Sequence, residues 1–381
     1  MDIVLWQNMP SHHQSGAIRL LADSWSGEMH GVYDMEMMPS RKEQGWAVPD
    51  MGKTHLHFLD SMESPSQFVD DFVQAHQDAI HILGGFRGSH SVVLAFASLV
   101  RLGNPKLVSI LERPHFNGWK SPLQKLWYRR FLKKHSGKFR AVLAMGHLGV
   151  DSLKRLGCPS EILFPCMYQV NHSKEAVCRS TIRSDSDIVR MIYIGRFDSR
   201  KGIDILLKAV DQLPESGWHL TLAGGGGGFE PQVLARVSET SDNRIEYAGR
   251  WPSDEVVTRL QDFDVAVVPS RHDGWGMVVS EALAAEIGVI ASDNTGAMDL
   301  IRFSGAGKIF PTGSVQGLAN ALSDIVADPS CTVEWKTKAK RYQPYLSTAL
   351  FAKYLEEVLT YTCINDMQSN RPRPPWECFL Q

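Results

Sequence analysis

Two stretches of this chain hold residue types whose spacing suits the handling of a phosphate ester. In Tyr193-Ile-Gly-Arg-Phe-Asp-Ser-Arg-Lys-Gly202 an apolar run ends at Gly195, Arg196 follows, and Lys201 falls just before the next helical pattern. Two fixed cations beside a helix N-terminus suit a diphosphate, because the charges and the exposed N–H groups both favour an anion. Arginine grips phosphate oxygens through two parallel hydrogen bonds, whereas lysine supplies a point charge. Read alone, the pair could equally be solvated loop cations. The second stretch runs from His272-Asp-Gly-Trp-Gly-Met-Val-Val-Ser to Glu281. Gly274 and Gly276 clear side chains from a strand-to-helix turn, so that backbone N–H groups can come close to a phosphate. Glu281 is expected two or three residues into the helix, where a carboxylate can accept both hydroxyls of a ribose; Asp273 lies eight positions earlier. Without a ligand, Glu281 would only complement the helix dipole and the glycines would only turn the chain.

A third set sits near the N-terminus. His12, His13 and Gln14 are expected in the first strand-to-helix loop, and Gly16 would let the backbone approach a phosphate. Glu112-Arg-Pro-His115 follows an apolar strand and should open on the same side. A lone loop histidine is more often solvated than catalytic, so these are candidates for a second substrate only. Gly224–Gly228 lacks the spaced G-x-G-x-x-G register at a helix start, which argues against nicotinamide binding.

These residues need a frame. Apolar runs at Ile3–Trp6, Ala79–Leu83, Leu107–Leu111 and Ala141–Met145 read as buried strands, with helical spacing at Ala17–Trp25, Val92–Leu102 and Gly149–Leu156. Asn171–Asp187 is polar, with few large apolar residues, and reads as a linker. Beyond it strands are legible at Arg190–Ile194, His219–Ala223, Arg244–Ala248, Val265–Pro269 and Gly288–Ser292. Helical patterns lie between them at Ile203–Leu213, Pro231–Val237, Asp254–Leu260 and Val278–Ala285, and follow at Leu318–Val326 and Leu346–Leu359. Strands alternating with helices imply an α/β class with parallel sheets covered on both faces. The expected division is 1–175, 188–345 and a C-terminal helix and tail at 346–381 that could return to the first domain.

The ordered set Gly-Arg…Lys-Gly, Ala-Gly-Gly-Gly, Ala-Gly-Arg and Pro-Ser…Asp-Gly-Trp-Gly…Glu-Ala-Leu-Ala resembles glycosyltransferase family 4, the group 1 transferases of GT-B fold. The match is good over about residues 188–300, and the N-terminal half resembles the family only in outline. The resemblance implies two facing Rossmann-like domains with a cleft between them. It implies a retaining transfer from a UDP- or GDP-type nucleotide sugar to a saccharide or lipid-linked acceptor, as in surface polysaccharide or lipopolysaccharide synthesis. Residue by residue, Arg196 and Lys201 would neutralise the diphosphate beside Gly195, Glu281 would bind the ribose, and Gly274, Trp275, Gly276, Met277 and Val278 would hold phosphate and sugar through their backbone. Arg250 and Trp251 stand where the family contacts the base. The family's first glutamate is Asp273 here, one methylene shorter. Competing readings are a GT-B-like epimerase or phosphorylase, or a non-catalytic nucleotide-sugar-binding protein.

Composition narrows the partners. A formal net charge of −2 over 381 residues gives no global pull toward nucleic acid or membrane. The six cysteines form no C-x-x-C pair and no His cluster completes a zinc pattern, so neither metal nor cofactor is expected and the thiols read as those of a reducing compartment. The opening MDIVLWQNMP lacks a basic segment before an apolar run, and the longest apolar stretch is well short of the roughly 20 residues that span a bilayer. The expected location is therefore cytoplasmic. Locally the charge is uneven: from Arg113 to Val150 there is no acid, while Lys120–Arg140 carries eight Lys and Arg side chains interleaved with Trp127, Tyr128 and Phe131. Such a face can lie on the anionic inner surface of a membrane. An ordinary solvated helix face with buried aromatics is the alternative. No nucleic-acid recognition motif accompanies it.

Overall fold

In the computed structural model, residues 1–42, 47–103, 106–116, 118, 120–170, 188–239 and 244–380 are described. The expected linker Asn171–Asp187 lies outside them. The chain forms two compact units, Met1–Asn171 with Thr348–Pro375, and His172–Ser347 with Trp376–Gln381.

The first unit holds seven strands: β1 Ile3–Gln7, β2 Met29–Tyr33, β3 His55–Phe58, β4 Ile80–Leu83, β5 Leu107–Leu111, β6 Phe139–Met145 and β7 Leu163–Cys166. Their order across the sheet is β3-β2-β1-β4-β5-β6-β7. The second unit holds β8 Val189–Gly195, β9 Trp218–Gly224, β10 Ile245–Tyr247, β11 Val265–Val268, β12 Gly288–Ser292 and β13 Gly307–Phe310, ordered β10-β9-β8-β11-β12-β13. The pairings are parallel in both sheets. Strands buried on both faces read as continuous apolar runs rather than alternations, as in Val265-Ala-Val-Val268, all four buried. Each sheet reverses its winding direction once, between β1 and β4 and between β8 and β11. Loops leaving the carboxyl ends of strands on either side of such a reversal diverge and leave a crevice for ligands.

The strands that the apolar pattern missed are β2, β3, β7 and β13. Each is short and interrupted by His, Gly, Pro or Lys, so no long hydrophobic run marks it. Four helices among the described residues were also not anticipated, Pro39–Lys42, Pro65–Ala75, Met298–Ser304 and Ser330–Tyr342. The helix Thr348–Leu359 lies in the first unit and buries Phe351, Tyr354 and Leu355; the Tyr354 hydroxyl donates to the Pro165 carbonyl at 3.1 Å. The last stretch is ordered rather than loose. Trp376 is buried, its carbonyl accepts from Tyr342 at 2.7 Å, and Phe379 meets the Tyr342 ring edge-on. Among the described cysteines only Cys158 and Cys166 are buried; Cys378 is exposed.

Candidate functional site

In the second unit the winding reversal falls between β8 and β11, and the loops leaving these two strands carry the cations and acids singled out in the sequence. Gly202 shows why the loops meet. Its φ is +72°, and a Cβ there would stand 1.9 Å from the Pro269 carbonyl oxygen, so only glycine allows the close approach. The Arg271 N–H donates to the Arg200 carbonyl at 2.8 Å, and the Arg271 guanidinium forks onto both carboxylate oxygens of Asp204 at 2.7 Å. That bidentate pair holds Asp204 below the usual carboxylate range and ties one loop to the helix Ile203–Val210 that follows the other.

With the loops clamped, the Lys201 ammonium lies 2.5 Å from Asp273 Oδ2. Ser270 Oγ donates to the same oxygen at 3.4 Å. Asp273 is buried, and its N–H donates to the Asn294 carbonyl while its own carbonyl accepts from Gly296. The segment after β12 therefore fixes the turn from behind. Gly276, at φ +95°, leaves no room for a Cβ, which would fall 2.6 Å from Thr295 Cγ2. Gly276 is also the N-cap of the helix Met277–Ala284, and no side chain caps that helix. Its leading N–H groups are left for another acceptor.

Glu281 is the fifth residue of this helix, deeper than the two or three residues expected from sequence. Burial pushes its carboxyl up to about 7, against the opposing pull of Lys201. Trp275 is buried and its indole N–H donates to Ser280 Oγ at 3.0 Å, so its side chain is part of the support and only its backbone faces the turn. Met277 and Val278 are half-buried.

Arg196 is exposed, and its Nε donates to Asp198 Oδ2 at 3.1 Å. The other Asp198 oxygen accepts the Lys201 N–H at 2.9 Å, so one carboxylate organises both cations. The glycine run lies against this loop: Gly225 N–H donates to the Gly195 carbonyl, and Phe197 N–H donates to the Gly226 carbonyl at 2.9 Å. A Cβ on Gly227 would lie 2.7 Å from the Phe197 oxygen, which is why side chains are absent here. Arg250 is exposed above the run, with its Nε 3.2 Å from where a Gly225 Cβ would be. Trp251 turns elsewhere, 6.1 Å from the Phe263 ring and under Arg259, and its indole N–H is buried without a partner. Asp198, Ser270 and Thr295 were missed in the sequence; Asp198, three residues before Lys201 at a helix approach, was the one that turn chemistry could have marked.

In the first unit, His12, His13 and Gln14 are not in a loop. They form the first turn of the helix His12–Ser24, which starts early because the Ser11 hydroxyl accepts the His13 N–H. Gly16 is consequently inside this helix, not in a turn open to a phosphate. The His12 ring contacts the Ala47 carbonyl at 2.6 Å. Gln14 accepts from Gln7 at 2.7 Å. His13 lies 5.6 Å from the ring of Tyr168, whose hydroxyl donates to Glu112 at 3.0 Å. Burial, then the Arg41 charge, pushes the His13 imidazole down to about 4, so it is neutral near pH 7. His13 and Glu112 thus share a neighbour, Tyr168, that no sequence pattern marked.

The basic segment forms the helix Ser121–His135. Trp127, Tyr128 and Phe131 turn inward onto the core around Phe86 and Phe139. Lys125, Arg129, Arg130, Lys133 and Lys134 remain exposed together with Leu123 and Leu126. Trp119 lies outside the described residues. Among the described residues, no helix is long and apolar enough to cross a membrane.

Residues 179–342 match the model of the family described as glycosyl transferases group 1. The lipopolysaccharide core biosynthesis glycosyltransferase LpsE of Rhizobium meliloti is 31% identical over 155 residues, 41% of this chain and 44% of that protein. A glycogen synthase of Thermus thermophilus is 25% identical over 232 residues, 59% of this chain and 49% of its own length. The chain spans about half the length of the curated relatives it matches. Among solved structures, Anabaena HepE in complex with UDP superposes with a TM-score of 0.71 at 16% identity, covering 94% of this chain and 100% of that one. WaaG, a glycosyltransferase involved in lipopolysaccharide biosynthesis, superposes with a TM-score of 0.62 at 13% identity, covering 94% and 100%. The fold is of this GT-B kind.

Proposed function

We propose that this chain, which belongs to the group 1 glycosyl transferases through residues 179–342, moves a sugar from a UDP- or GDP-type nucleotide donor to a saccharide or lipid-linked acceptor. The observation that carries this reading is the meeting of Lys201 and Asp273 at the winding reversal of the second sheet, beside a helix N-terminus that no side chain caps. An incoming diphosphate can take the Lys201 ammonium from Asp273, take Arg196 from Asp198, and accept the N–H groups that follow Gly276. Breaking the bond from the anomeric carbon to the diphosphate sends the electron pair to a phosphate oxygen. The same cations and dipoles then stabilise that growing charge, with no reorganisation at the moment of reaction. The acceptor hydroxyl forms the new bond to the anomeric carbon and passes its proton to the departing phosphate oxygen.

Glu281 in its ionised form accepts the two ribose hydroxyls, and the backbone of Gly274, Trp275, Gly276, Met277 and Val278 holds phosphate and sugar. Arg250, over the glycine run beside Gly195, is the base-side contact, whereas Trp251 packs toward Phe263 and Arg259. Asp273 serves mainly to place Lys201 before the diphosphate arrives, with Ser270 donating to the same carboxylate oxygen. Metal-free transfer with retention of anomeric configuration is part of the proposal, as the family resemblance implies.

The names of LpsE and of a putative colanic acid biosynthesis glycosyltransferase of Salmonella typhimurium support a surface-polysaccharide acceptor. We assign that acceptor to the first unit, at His13, Tyr168 and Glu112, with His12 and Gln14 shaping the turn. The exposed bases and two leucines of Ser121–His135 fit a peripheral position on anionic lipid at the inner face of the membrane. The direct test is a thermal-shift screen with UDP, GDP and ADP, followed by turnover assays with UDP-glucose and GDP-mannose. Stabilisation by a nucleoside diphosphate is expected, and its absence for all three overturns the reading.

A further inference from the structure

At the other end of the first sheet, where its strands begin, the chain gathers histidines. Asp2 immediately precedes β1, His30 is the second residue of β2, and His76 ends the helix Pro65–Ala75 that leads into β4. The strand order β3-β2-β1-β4 makes these three distant positions neighbours. One ligand atom from each of Asp2, His30 and His76 lies within 4.8 Å of the others. His76 Nδ1 is 3.7 Å from Asp2 Oδ2, and His30 Nε2 is 3.5 Å from Glu28 Oε2. Ligands held at about 2.0–2.1 Å around a tetrahedral ion stand about 3.3 Å apart, so the His76–Asp2 pair needs to close by only tenths of an ångström and no pair of the three by more than about 1.5 Å.

The outer contacts aim the atoms. Asp2 Oδ1 accepts the Glu28 N–H at 3.0 Å, which leaves Oδ2 for His76. His30 Nδ1 lies 3.5 Å from His57 Nε2, and when His30 donates there its Nε2 lone pair is left for an ion. His30 is only 7% exposed, yet its Nε2 is buried without a hydrogen-bond partner. A buried ring nitrogen left unpaired is costly unless something fills the place it faces. Phe72 walls the group, 4.4 Å from the His76 ring and 5.5 Å from His30.

We propose that Asp2, His30 and His76 form a zinc-type metal site with three protein ligands. Two imidazoles and one carboxylate suit a borderline divalent ion. The ion would tie the start of β1 to β2 and to the helix before β4, a structural clip separate from the strand-end loops of either unit. No ligand spacing announces it in the sequence, because the residues come from three separate elements.

The test uses tag-free full-length chain, stripped with chelator and titrated with zinc chloride by calorimetry. One ion per chain with a Kd of micromolar or tighter is expected, together with a rise in melting temperature. Asp2→Asn, at a partly exposed carboxylate, should leave the metal-free melting temperature nearly unchanged, His76→Ala should lower it through lost packing on Phe72, and each should weaken zinc at least tenfold. His57→Phe, which keeps a ring against Phe68 and Phe72 but removes the nitrogen beside His30, should weaken it by about tenfold. Lys201→Ala should bind zinc as the parent does. Absence of saturable binding overturns the proposal. So does binding that Asp2→Asn and His76→Ala leave unchanged, which would mark an adventitious surface ion.

Discussion

The two sheets are wound alike, yet their reversal points are finished in opposite ways. In the first unit the helix ends next to the reversal are closed by the chain itself. Ser11 caps His12–Ser24, and Asp34 reaches across from the end of β2 to accept the N–H groups of His90 and Ser91 and the Ser89 hydroxyl at the start of His90–Leu102. In the second unit the helices Ile203–Val210 and Met277–Ala284 have glycine N-caps and no side-chain cap, and the carboxylates Asp198 and Asp273 hold cations instead. A helix end that already holds its own carboxylate has little to offer an external anion. An uncapped one beside two movable cations has much. The same topology can therefore present either a filled or an available phosphate site, and the difference lies in a few capping residues.

The comparison can be broken most sharply at Lys201. Lys201→Ala should lower turnover by about two to three orders of magnitude, the range seen when one charge-stabilising donor is lost, and should abolish most nucleotide affinity. A steady-state assay with calorimetry measures both. Next comes Gly202→Ala, which forces a Cβ onto the Pro269 carbonyl in a left-handed conformation. A loss of about 3 kcal/mol in denaturant unfolding of the second unit is expected, with nucleotide binding falling alongside. An unchanged midpoint would show that the loops are not locked together as described.

Glu281 offers a pH test. Its folded pKa, at about 7, lies above the ordinary 4.5. The folded state therefore holds the proton more tightly than the unfolded one, and the group's contribution is fully present below the unfolded value and fades as pH rises through about 7. Glu281→Gln should remove that loss, making the variant more stable than the parent at pH 8 by on the order of 2 kcal/mol. Nucleotide affinity of the parent should increase as pH passes upward through 7, and the Gln variant should bind weakly at every pH. On the filled side, Asp34→Ala should cost about 1 kcal/mol of stability, as for other lost caps, with nucleotide affinity untouched. The smallest effect is expected for Lys125→Gln combined with Lys133→Gln, which should weaken binding to anionic liposomes severalfold and leave turnover on a soluble acceptor alone. Equal liposome binding would make the helix an ordinary solvated face.

Much of this was legible in the residues themselves. The strands β8, β9, β11 and β12 announce themselves as apolar runs ending in Gly, Pro or Ser, and Arg196, Lys201, Asp273 and Glu281 stand out by type and position. What could not be read was pairing. Lys201 and Asp273 are 72 positions apart, and only the strand order makes them partners. Asp34 looks like an ordinary loop acid until the helix end it serves is known. The early start of the helix at His12 was readable from Ser11 as a capping residue; giving weight to the later apolar residues instead put His12, His13, Gln14 and Gly16 in a loop. β2 and β3 carry histidines where apolar residues would have marked them, and His30 of β2 is one of the ligands proposed for the metal site.

The central claim is that the uncapped, cation-bearing reversal of the second sheet is the donor site. Calorimetric titration of the parent and Lys201→Ala with UDP and GDP tests it most directly. The account predicts saturable binding of at least one of the two by the parent and a loss of at least tenfold in the variant. Equal affinity in the two proteins would contradict it.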